Sequence, residues 1–168
     1  MCKELSNKEY VSNSLAVQRE RVQRLEDYMI ENLDPVTCPT EHYFTDNPDG
    51  LNVCLRSFFL PAGVVITGTI YKIEVFWILV SGKIRIIEGD HTRDLDPGAI
   101  VKNLVGIKNS WYAYEDSMIY GFVPNPTNTR SVTDIINTFS EIDASEIQGM
   151  GANRQEINYQ KRIENAHH

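Results

Sequence analysis

The feature that most constrains this chain is a succession of short apolar segments between residues 51 and 123. Each is rich in Val, Ile, Leu, Phe, Tyr or Trp, and each ends at a turn signal: Pro61-Ala62-Gly63, Ser81-Gly82, Glu88-Gly89-Asp90, Asp96-Pro97-Gly98 and Glu115-Asp116. The pattern predicts strands over residues 51–60, 64–71, 75–80, 83–88, 99–102, 110–114 and 117–123. No helical periodicity intervenes, so the strands are expected to pair antiparallel and to form a sandwich or barrel.

The flanks read differently, and divide the 168 residues into 1–37, 38–126 and 127–168. In the first zone Ser6 and Glu9 have capping-box spacing. Val11, Leu15, Val22, Leu25 and Met29 then recur at helical intervals, with Arg19, Glu20, Arg24 and Glu26 assigned to the opposite face. Asp34-Pro35 ends the helix, because the residue before proline is pushed out of the helical region. The apolar stripe either covers its own domain or bundles with another subunit. In the third zone Ser131 to Asp134 caps a short helix whose apolar side holds Val132, Ile135, Ile136 and Phe139. Gly149-Met150-Gly151 marks a break, and the polar stretch 152–166 is expected to dock on another subunit or fold back. His167 and His168 are given no functional weight.

Charge and composition exclude several classes. Sixteen basic against 23 acidic residues give a net charge of −7, so no nucleic-acid partner is expected. No apolar run approaches the roughly 20 residues of a membrane span, and residues 1–10 lack the apolar core of a secretory signal. Cys2, Cys38 and Cys54 are odd in number and lack CxxC spacing, which fits free thiols in a reducing compartment. No nucleophile-elbow, phosphate-loop or HExxH motif is present. Cys54 reads as a buried strand residue, and Asp90-His91 and Asp94 to Asp96 as solvated turns.

Gly63 is followed nineteen positions on by Gly82, then by Gly98 and Gly106, each at a turn where a positive φ is easiest for glycine. This frame resembles the two-part motif of the cupin superfamily, running without a gap from Gly63 to Gly82 and from Gly98 to Ala113. The resemblance implies a mainly β, double-stranded β-helix (jelly-roll) barrel over about half the chain, to which the flanking pattern adds an N-terminal helix and short C-terminal helices. It also identifies the positions at which cupins hold a metal. Here Thr69 and Tyr71 replace the first two histidines, Val75 the glutamate and Asn109 the third histidine. A hydroxyl, a phenol, an alkyl group and an amide do not form such a centre, so no metal and no cofactor are expected. Glu74, one residue from the glutamate position, should face the other way. Segments including Cys38 to Phe44, Pro61 to Gly63, Lys72, Glu74 and Tyr112 to Asp116 are similar to small cupin-like proteins of tailed bacteriophages. Those proteins supply no biochemical role to carry over.

If the barrel forms, strand alternation turns Thr69, Tyr71, Val75, Trp77 and Leu79 inward, and Asn109, Trp111 and Ala113 with them. Either these residues are only the core, or Tyr71, Trp77 and Trp111 wall a pocket for a planar ligand with Asn109 and Arg56 as polar anchors. A metal-free epimerase would need a His/Tyr pair, but His42 precedes the barrel strands and His91 falls in a turn, so neither is expected in the lumen. The sequence therefore favours a non-enzymatic, metal-free protein that acts by assembly. It would be a homo-oligomer formed through barrel edges and the N-terminal helix, a structural or accessory part of a virion, located there or in the host cytoplasm with other virion proteins as partners. The alternative is a soluble protein that binds a small planar molecule such as a nucleotide; the epimerase-like enzyme is the third.

Overall fold

The computed structural model of the chain describes residues 7–34, 36–88 and 91–141. The elements in order are α1 (Asn7–Asn32), β1 (Thr40–Phe44), β2 (Val53–Leu60), β3 (Val65–Thr67), β4 (Val75–Ser81), β5 (Ile84–Glu88), β6 (His91–Leu95), β7 (Ile100–Asn103), β8 (Ser110–Ala113), β9 (Ser117–Pro124) and α2 (Val132–Phe139). The strands form two antiparallel sheets, β1-β2-β9-β4-β7 and β3-β8-β5-β6. From β2 to β9 the chain passes back and forth between the sheets, so that β2 pairs with β9, β4 with β7 and β9, and β8 with β3 and β5. That order is a jelly roll, in which early and late strands wind together around one core.

Alternation fills the core. In β4 Val75, Trp77 and Leu79 are buried while Phe76 and Val80 are exposed. Glu74 lies outside, paired with Lys102 at 2.8 Å. Leu60, Ile84, Ile86, Val101, Ala113 and Ile119 complete the interior. All four glycines of the frame have positive φ, between 81° and 90°. At Gly82 a Cβ would also stand 2.3 Å from the Asp116 carbonyl oxygen, so both conformation and space select glycine there.

Three expectations need correction. The segment 64–71 is not one strand: β3 stops at Thr67, because Gly68 turns to donate its N–H to the Asn109 carbonyl at 2.8 Å. Thr69 and Tyr71 therefore sit on an irregular connection leading to β4. The stretch expected as turns at His91 and Asp94 is edge strand β6, held to β5 by Arg85–Asp94 and Arg93–Glu88 ion pairs. Its charged, exposed side chains show no alternation and suit an edge that must resist further pairing. Strand β1, with His42 and Tyr43, was likewise not expected.

Helix α1 packs on its own barrel, through the loop after β7 and through Thr67. Val22 and Met29 are buried as expected, but so is Glu26, which is 0% exposed rather than on an outer face. The wheel explains it: Gln18, Val22, Glu26 and Met29 fall on one stripe, four, four and three residues apart. Helix α2 begins at Ser131, whose side chain accepts from the Asp134 N–H at 3.2 Å, and it buries Ile135 and Phe139. No helix among the described residues is long and apolar enough to cross a membrane. The Ser6 cap, the side chain of Val11, Cys2 and the features after residue 141 lie outside the described residues.

Candidate functional site

The inner face of the five-stranded sheet carries the residues of interest in one cross-strand row. His42 on β1 is registered with Arg56 on β2, Arg56 with Gly121 on β9, and Gly121 with Trp77 on β4. Gly121 is there because the six-membered ring of Trp77 lies over it: a Cβ would meet that ring at 2.3 Å. Around Trp77 the aromatic rings interlock. Phe58 stands edge-on at 5.6 Å, Trp111 at 5.7 Å and Tyr71 at 6.3 Å between centroids. Phe58 and Trp111 are 6.0 Å apart. Edge-to-face packing of this kind stabilises a core beyond area burial alone.

The five sequence-predicted site residues divide between two environments. Trp111 is buried inside the ring cluster. Asn109 is buried and engaged: it donates to Asn103 Oδ1 at 2.6 Å and accepts from Gln18 Nε2 at 3.5 Å. It does not pair with Tyr71. Arg56, Tyr71 and Trp77 instead adjoin one another. The Arg56 guanidinium stacks over the Phe58 ring at 5.4 Å and hydrogen-bonds the Tyr71 hydroxyl, which is also bonded to Thr69. Burial pushes the Tyr71 phenol up, and the Arg56 charge pulls it only partly back. Above this connection, the Tyr71 backbone bridges to Ser140 just past α2, and Lys72 N–H donates to the Phe139 carbonyl at 2.8 Å.

Two donors in this region have no partner among the described residues: Arg56 Nε and Trp77 Nε1 are both buried and unsatisfied. No carboxylate among the described residues pairs with Arg56. Unpaired buried donors are rare in folded proteins and carry a desolvation penalty unless an acceptor reaches them.

Sequence reasoning missed His42. The register with Arg56 puts it on the inner face, half-buried, rather than before the barrel. Burial, then the Arg56 charge beside it, pushes its imidazole from 6.5 down to about 4. It missed Lys108 as well. The Lys108 ammonium is 2.9 Å from Glu26 Oε2 and 2.8 Å from Gln23 Oε1, with side-chain exposures of 4% for Lys108 and 0% for Glu26. Thr67 Oγ1 donates to the same Glu26 oxygen at 2.6 Å, and the Lys108 N–H donates to Gln18 Oε1 at 3.2 Å. This network joins α1 to the barrel. Cys54 is buried, as expected, and burial raises its thiol pKa against the opposing charge of Arg56.

The positions at which a cupin holds its metal do not fit one. Tyr71 faces a guanidinium, Val75 has no donor atom, and the Asn109 amide is committed to Asn103 and Gln18. A fixed cation beside these positions opposes a second.

Fold and site together define a cupin-like jelly-roll barrel with an arginine on the inner face of its five-stranded sheet. No protein-family model and no curated protein matches the chain. Among solved structures it is similar to the Cupin_2 domain of an XRE family transcriptional regulator from Enterobacter cloacae, at 13% identity over 52% of this chain and 95% of that one, with a TM-score of 0.45. It is similar also to the DMSP lyase DddQ from Ruegeria pomeroyi, at 15% identity over 55% and 49%, TM-score 0.46. The Cnp3 cupin domain of Schizosaccharomyces pombe shares 13% over 58% and 68%, TM-score 0.44. The jelly-roll assignment rests on the strand order of this chain itself.

Proposed function

We propose that this chain is a metal-free jelly-roll binding protein that holds a small molecule against Arg56, Tyr71 and Trp77 and performs no chemistry on it. One observation carries the reading: Arg56 is a permanently charged side chain on the inner face of the barrel, with a buried Nε that no group among the described residues satisfies. Arg56 is half-buried, and the buried donor of a charged group calls for an acceptor. The surrounding groups argue against acid–base catalysis. Burial lowers His42 to about 4 and raises Tyr71, so both are moved away from neutrality, where proton transfer at pH 7 is most effective. Trp111 packs edge-on against Trp77 at 5.7 Å behind these groups, and Asn109, committed to Asn103 and Gln18, lies on the side of α1.

The test is a thermal-shift screen of small planar molecules on the folded protein. A ligand at a hundred times its Kd stabilises by about 2.7 kcal/mol. For a chain of this size that raises Tm by roughly 5–10 °C. The rise should disappear in Tyr71→Ala. No stabilising compound, or an unchanged rise in a folded Tyr71→Ala variant, would remove the reading.

A second reading, assembly, is favoured by the outer face of the five-stranded sheet. Phe76 (48% exposed), Phe122 (40%), Val53, Val80, Ile100 and Tyr43 are all exposed there. The register places Tyr43 beside Leu55, Leu55 beside Phe122 and Phe122 beside Phe76, so the apolar surface is continuous across four strands. Five strands about 4.8 Å apart and roughly seven residues long present a face of about 500 Å². Two copies meeting there would bury about 1,000 Å², the lower bound for a specific interface. Incorporation into a phage particle, suggested by the sequence resemblance, would draw on the same face.

A further inference from the structure

We propose that the ligand of the barrel is a planar organic monocarboxylate, its carboxylate received by the Arg56 guanidinium beside the Tyr71 and Thr69 hydroxyls and its flat body set against the aromatic cluster. This rests on the reading of Arg56, Tyr71 and Trp77 as a binding site and adds the class of molecule bound. The charge of the site selects a monoanion. Arg56 is its one cation: Lys108, the other inward-facing cation described, is already neutralised by Glu26. The groups that interact with Arg56 are the Tyr71 hydroxyl, the Cys54 thiol, the His42 imidazole and the Phe58 ring, which bring no compensating negative charge. A phosphomonoester, with a charge of roughly −1.5 to −2, would leave excess negative charge in a low-dielectric interior. A carboxylate matches one guanidinium in charge and in its two-pronged donor geometry. The Arg56 Cζ stands over the Phe58 ring at 5.4 Å from its centroid, and the buried Nε is left for an acceptor. Phe58, Tyr71 and Trp77 supply the apolar, edge-and-face surface that a planar ring prefers.

The experiment titrates benzoate, benzamide and phenyl phosphate into the full chain by NMR, with Arg56→Gln and Arg56→Lys as variants whose folding is checked by circular dichroism. Benzoate should bind at least about tenfold more tightly than its neutral isostere benzamide, the scale of a charge-assisted hydrogen bond, and more tightly than phenyl phosphate. Arg56→Gln should abolish that preference, while Arg56→Lys, which keeps the charge and loses the fork, should retain part of it. Equal binding of benzoate and benzamide, tighter binding of phenyl phosphate, or a benzoate preference that survives in Arg56→Gln would overturn the carboxylate assignment and leave the binding site standing. Failure of all three probes to bind the folded protein would overturn both.

Discussion

Replacing Lys108 by methionine is the sharpest perturbation of how α1 is held. The side chain is 4% exposed and its ammonium sits 2.9 Å from Glu26 Oε2, while Glu26 itself is fully buried. Methionine fills most of the lysine volume, so the variant removes charge more than packing. Glu26 keeps the Thr67 hydroxyl at 2.6 Å, but a neutral donor does not replace an ammonium. Removing one partner of a buried pair costs about 3–5 kcal/mol, against at most about 1 kcal/mol for an exposed pair. For a domain of this length that corresponds to a fall in Tm of roughly 10 °C.

The assay is urea unfolding followed by two signals. Ellipticity at 222 nm reports chiefly on the 26-residue α1, and tryptophan fluorescence reports on Trp77 and Trp111 in the barrel. Lys108→Met should shift the ellipticity transition at least as far as the fluorescence transition. The double variant Glu26→Leu/Lys108→Met should recover most of the loss, because an apolar pair of similar volume often matches a buried ion pair. A loss below about 1 kcal/mol, or a double variant as unstable as the sum of the singles, would refute the placement of a desolvated pair under the helix.

Three further outcomes follow from the structure. His42 is held near pKa 4 in the folded chain and returns to about 6.5 when unfolded, so the unfolded state binds more protons between these values; stability should fall as pH drops from 6.5 toward 4, and His42→Phe should flatten Tm against pH in that window. Gly121→Ala places a methyl group 2.3–2.8 Å from the Trp77 ring, and should destabilise by about 1–3 kcal/mol with a red shift of tryptophan emission; unchanged stability would mean the ring does not lie over Gly121. If copies meet on the outer sheet face, Phe76→Glu/Phe122→Glu should convert the protein to monomer by light scattering without changing its circular dichroism, whereas a monomeric wild-type chain would end that reading.

Most of the fold was legible because it is written in local rules. Turn glycines need positive φ, and Gly63, Gly82, Gly98 and Gly106 have it. Inward residues alternate on β4, and Val75, Trp77 and Leu79 do. Ser131 caps α2 as its position ahead of Asp134 suggests. What escaped is decided by partners distant in sequence. Strand β1 alternates in burial, but its half-buried side carries Thr40 and His42 before Phe44 rather than an apolar row, and β6, exposed at four of its five residues, is fixed by cross-strand ion pairs with β5. Glu26 was assigned outward on the strength of its charge, although its place four residues after Val22 already put it on the buried stripe. Its partner Lys108 lies more than eighty residues away in a loop with no periodicity, so nothing local announced the pair.

The candidate site was legible for a different reason, and the two inward cations show why its function is separable from its structure. Lys108 is withdrawn from water with its whole side chain and Arg56 with its Nε, and both are governed by the same penalty. At Lys108 the chain supplies the compensation itself: a carboxylate and an amide oxygen from α1, the carboxylate being anchored in turn by the Thr67 hydroxyl of β3. At Arg56 it supplies a phenol and an aromatic face, and leaves a buried N–H open. A residue kept only for packing could be replaced there by a smaller apolar side chain that fits the Phe58, Tyr71 and Trp77 cluster and needs no partner. The uncompensated guanidinium is therefore better understood through what it can receive than through what it holds in place. By the same comparison, substitutions at Lys108 should register in stability, and substitutions at Arg56 should register in binding.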